Sequence, residues 1–64
     1  MENENEIITT MKNMEAQITS AIEEATKFCD NGNASAGTRL RSTMQNVKGL
    51  AQQVRLEVQA QKNA

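Results

Sequence analysis

The side chains of this 64-residue chain that could do chemistry are few, and most are basic. Arg41, Lys48, Arg55 and Lys62 recur every seven residues, and Arg39 stands two before the first of them. A seven-residue step on a helix returns to nearly the same side, so the four form one row, about 32 Å long at 1.5 Å per residue. Such a row can neutralise phosphates along a nucleic-acid backbone. It would do so blind to sequence, because nothing beside it is arranged to meet base edges. The same spacing also fits long stems that cover the edge of a core while their heads sit in water or pair with carboxylates. Spacing alone slightly favours this second reading. Phe28 is the one aromatic residue, so stacking of single-stranded bases along the row is not expected.

Other chemistry has little to work with. There is no histidine, and the lone Cys29 completes neither a disulfide within the chain nor a zinc ligand set. Cys29 could serve as a nucleophile or an intermolecular disulfide, but a lone cysteine near a core is expected as a small buried apolar group. Glu23 and Lys27, four apart, read as a surface support pair. The stretch "CDNGNASAGTRLR", residues 29–41, has no strand before it and no lysine where a phosphate-cradling loop needs one. The chain is therefore read as no enzyme, with no cofactor, no metal and no small-molecule substrate.

The elements that would position the basic row follow from apolar spacing. Ile7, Met11, Met14, Ile18, Ala21, Ala25 and Phe28 advance by alternating steps of four and three, and so do Leu40, Met44, Val47, Ala51, Val54 and Val58. That is the period of a helical seam. Folded back antiparallel, these residues pair off with residue numbers adding to 65, which centres a bend between Gly32 and Asn33. Glycine suits the left-handed residue just past a helix end, and asparagine can cap the helix that follows. The expected fold is all-α: one domain over residues 1–64, with a first helix over about 4–30, a turn at 31–33 and a second helix over about 34–61. Two long antiparallel helices form an α-hairpin.

A chain this short, without disulfide or metal, buries little surface alone. Ile8, Ile22 and Cys29 beside the first seam, and Leu50 and Leu56 beside the second, widen the apolar face. The expected solution is a homodimeric four-helix bundle or a higher oligomer. Net charge is −1, but it is unevenly spread: residues 1–32 balance to −5 and residues 33–64 to +4. The halves either pair with each other or set out a dedicated basic face. The acidic opening "MENENEIITT" is unlike a signal peptide, and no apolar run approaches a membrane span. The expectation is an intracellular protein, or one packaged within a particle made there, with no membrane partner.

The segment "GNASAGTRLRSTMQNVKGLAQQVRLE", residues 32–57, resembles the histone H1-like DNA-binding proteins of bacteria, of the chlamydial nucleoid-condensing type. Gly32, Asn33, Ala36, Arg39, Arg41, Ala51, Arg55 and Glu57 carry the resemblance. It is a resemblance to a core: the sequence ends at "QKNA", where the condensing members continue into a lysine- and alanine-rich tail. The resemblance implies non-specific binding and compaction of double-stranded DNA (chromosome condensation) at the nucleoid, with Arg39, Arg41 and Arg55 as phosphate contacts; the first helix's carboxylates and the missing tail make the expected binding weak. Lys48 and Lys62 join them through the seven-residue spacing. The alternative is a structural, self-associating helical bundle with no nucleic-acid role.

Overall fold

The computed structural model describes residues 5–63. The acidic residues of 1–4 lie outside that range, and so does residue 4 as a helix start. Two helices, α1 (Glu6–Asn31) and α2 (Ala34–Lys62), pack against each other as an antiparallel hairpin. Among the described residues no helix is long and apolar enough to cross a membrane.

Each helix starts on an asparagine. The Asn5 side chain accepts the Ile7 amide at 2.9 Å, and the Asn33 side chain accepts that of Ala36 at 3.0 Å. Both bonds satisfy a donor that the first helical turn leaves without a partner. Between the helices Gly32 takes a left-handed conformation, φ 66°. Its amide donates to the Phe28 carbonyl at 3.1 Å, and the amide of Asn33 reaches back to Lys27 at 3.3 Å. The reversal thus occupies two residues, and its exposed carbonyls are used rather than stranded.

The helices meet along a face richer in small and polar residues than the apolar spacing suggests. Buried or half-buried on α1 are Ile7, Thr10, Met14, Gln17, Ala21, Glu24 and Ala25; on α2 they are Ala36, Gly37, Leu40, Thr43, Val47, Leu50, Val54 and Glu57. Ala21 and Ala36, with 4% and 0% of their surface exposed, let the two backbones come close. At the turn the Phe28 ring lies over Gly37, where an added Cβ would come within 2.7 Å of it. Partners across the two helices, such as Thr10 with Glu57 and Asn5 with Gln61, have residue numbers adding to within two of 65. The level of one helix against the other is therefore that expected from the apolar spacing, but the rotation differs. Met11, Ile18, Met44 and Val58, expected in the seam, are 38–48% exposed. The molecule measures 48 × 25 × 12 Å, which is one helix diameter in its thinnest direction. A layer one helix thick has two broad faces and no interior behind either.

Candidate nucleic-acid interface

The one-helix thickness decides what α2 can present. From each contact position, one residue further along turns about 100°. The helices run in opposite directions, so the same step on both turns toward the same side of the hairpin. On α1 the step leads to Ile8, Met11, Glu15, Ile18 and Ile22; on α2 it leads to Arg41, Met44, Lys48, Ala51, Arg55 and Val58. One step back leads instead to Glu6, Thr9, Asn13, Ala16, Ser20 and Glu23 on α1, and to Arg39, Ser42, Asn46, Gly49, Gln53 and Leu56 on α2. One side is thus largely apolar and edged by the basic row; the other is mostly polar, and Leu56, expected to widen the apolar face, is 61% exposed on it instead.

Arg41, Lys48, Arg55 and Lys62 are all exposed and form no ion pair with the described residues. Their spacing keeps them in line, and α2 continues unbroken beneath them to Lys62. Arg39 is placed differently. Its guanidinium turns to the polar edge and grips Glu24 with two nitrogens: Nε donates to Oε2, and Nη2 donates to Oε1 at 3.3 Å. The arginine side chain stays half exposed while Glu24 is only 18% exposed. The Arg39 hydrogen bond, outweighing the partial burial, holds the Glu24 carboxyl below its ordinary range, and the same bond raises Arg39 above its own. Lys27 adds a contact to Glu24 at 3.7 Å, and so pairs one residue away from the expected Glu23.

A second polar cluster ties the open end of the hairpin. The hydroxyl of Thr10, 6% exposed, donates to Glu57 Oε2 at 3.1 Å, and Gln53 donates to that same oxygen at 3.0 Å. The other oxygen of Glu57 is buried with no partner. Asn5 and Gln61 exchange reciprocal amide hydrogen bonds at 2.7 and 3.2 Å. These ties were not picked out from the sequence. The signal was present, since Glu24 with Arg39 and Thr10 with Glu57 obey the same level rule as the apolar pairs. Cys29, expected to be buried, is exposed.

The family model for histone H1-like protein Hc1 matches residues 8–64. The chain belongs to the Hc1 family. No curated protein and no solved structure matches it. The Hc1 match runs through both helices, so it takes in α1, the turn and the whole basic row, well beyond the segment that carried the sequence resemblance.

Proposed function

We propose that this chain is a self-associating core that binds the backbone of double-stranded DNA, without sequence preference, at the nucleoid. The observation that carries the reading is the exposed, unpaired row Arg41, Lys48, Arg55 and Lys62 in a member of the Hc1 family. Cations without internal partners are free to exchange the counterions of a duplex for themselves, and that exchange is the source of non-specific affinity. Arg39 is a lesser contributor, because Glu24 already holds its guanidinium. Carboxylates on α1 repel the duplex, so affinity per chain sits at the weak end of the non-specific range, near about 10⁻⁴ M. Association of copies offsets this by presenting several rows at once. The exposed apolar side of the hairpin favours a second reading, a bundle-forming structural protein whose charges serve only solubility.

Binding to a labelled duplex at about 20 and 200 mM salt separates the two. Four phosphate contacts per chain predict a logarithmic salt slope of about −3 to −4. Arg41→Glu/Arg55→Glu should remove most of the binding at low salt and flatten the slope. A duplex left unbound by the unaltered chain at low salt overturns the DNA reading and leaves the structural one.

A further inference from the structure

The apolar side of the hairpin has a shape that points to its occupant. Ile8, Met11, Ile18, Ile22, Met44 and Val58, each 38–61% exposed, gather there from both helices. A hairpin one helix thick has no other element to cover them. The strip runs from the level of Ile8 and Val58 to that of Ile22 and Met44, about 21 Å at 1.5 Å per residue, and is covered whole by a surface with the same apolar run. A second copy of this chain supplies it.

Two arrangements place apolar side on apolar side about a two-fold axis. If the axis runs across the helices, α2 lies on α2 of the other copy. The rows Arg41, Lys48 and Arg55 then face each other, like charge on like charge, with Lys48 near its own mate. If the axis runs along the helices, α1 of one copy lies on α2 of the other. The basic row then meets the row Ile8, Glu15, Ile22 and Cys29, which recurs at the same seven-residue spacing. The apolar members of that row can cover the arginine and lysine stems, and Glu15 comes level with Lys48. The pairing level already seen within the hairpin sets that match, since 15 and 48 add to within two of 65. Opposite charge at such flanking positions chooses between helix pairings much as it does in coiled coils.

From this charge complementarity we infer that two copies form a four-helix bundle about an axis parallel to the helices, α1 over α2, with Glu15 of each copy paired to Lys48 of the other. The inference rests on the self-association proposed above and specifies its geometry. Every adjacent pair of helices is then antiparallel.

Sedimentation equilibrium without DNA tests it by charge swap. Glu15→Lys and Lys48→Glu should each weaken dimerisation by about tenfold, and the double variant should return to within about threefold of the unaltered chain. Circular dichroism of each variant at matched concentration shows whether the hairpin itself survives. If Lys48→Glu instead tightens the dimer, or if the swap fails to restore it, the crosswise arrangement holds and this one is overturned. A chain that stays monomeric overturns both this arrangement and the self-association on which it rests. Cysteine pairing gives a second readout, in a Cys29→Ser background. Mixed Glu15→Cys and Lys48→Cys chains should cross-link to each other on mild oxidation. A covalent dimer of Lys48→Cys chains alone overturns the inference.

Discussion

At the residue scale, glycine positions in this chain carry opposite costs. Gly32 sits at φ 66°, a conformation in which a Cβ meets its own backbone, while open space surrounds it. Gly32→Ala should therefore destabilise the hairpin by about 1 kcal/mol through the backbone alone. Gly49 lies in the exposed interior of α2, also with open space beside it. There the mutation acts only on helix propensity, and Gly49→Ala should add about 1 kcal/mol. Urea unfolding of the pair checks both signs; equal shifts would mean that the turn does not need its left-handed residue. The Glu24–Arg39 pair is tested by acid. Glu24 is held below its ordinary pKa in the folded chain, so its contribution is fully present above the unfolded value. It is lost as pH falls through the folded one. The difference in thermal midpoint between the unaltered chain and Glu24→Gln should be present near pH 7 and shrink progressively as pH falls below the ordinary carboxylate range. A difference that persists in acid would show that the ion pair is not its source.

At the element scale, the hairpin was legible in the sequence and the rotation of its helices was not. Two apolar stripes with matching levels, separated by Gly32-Asn33, admit little besides two helices folded back on each other. The stripes are wide, however. On α1 they take in Ile7 and Ile8, Met11 and Met14, and Ile18 and Ile22, which spans more surface than one neighbouring helix can cover. Apolar spacing then fixes a broad side rather than a line of contact. The line is drawn by close approach at Ala21, Ala36 and Gly37 and by the polar ties of Thr10 and Glu24 at its edge. Polar residues and alanines carry weak signals in a hydropathy pattern, so the rotation of about 50° between expectation and structure, half of one residue's 100° step, went unread. The alignment of the basic row could be read from its spacing, but whether its heads are free or paired could not, and the capture of Arg39 by Glu24 needed the rotation. The contact line makes its own prediction. Ala21→Leu should force the helices apart and cost about 1–3 kcal/mol in unfolding free energy. Ala16→Leu, on the exposed back of α1, should leave the thermal midpoint within about 2 °C. Equal effects at both positions would place the contact elsewhere.

At the scale of the whole molecule, the direction of the two-fold axis decides what the assembly can do with DNA. An axis across the helices would merge two basic rows into one face, which would grip a single duplex tightly. An axis along the helices carries α2 of each copy to opposite sides of the bundle, so the two rows point away from each other. A dimer of that form joins duplexes instead of gripping one, and each duplex meets only one row, in which Arg41, Arg55 and Lys62 carry the free charges because Lys48 is paired with Glu15 of the other copy. Affinity for an isolated short duplex then stays low, while avidity grows wherever two DNA segments run close together. The expected result is that a bead-bound duplex, loaded with protein at about 20 mM salt, retains a second, labelled duplex. Ile22→Gln provides the control. Ile22 is 61% exposed and touches the proposed pairing side without contributing charge. Its loss should weaken dimerisation and abolish retention of the second duplex, while binding to the first falls only to that of a single row. Retention that survives in an Ile22→Gln chain shown to be monomeric would mean that one hairpin bridges DNA by itself. Tight single-duplex binding without bridging would assign the merged basic face instead.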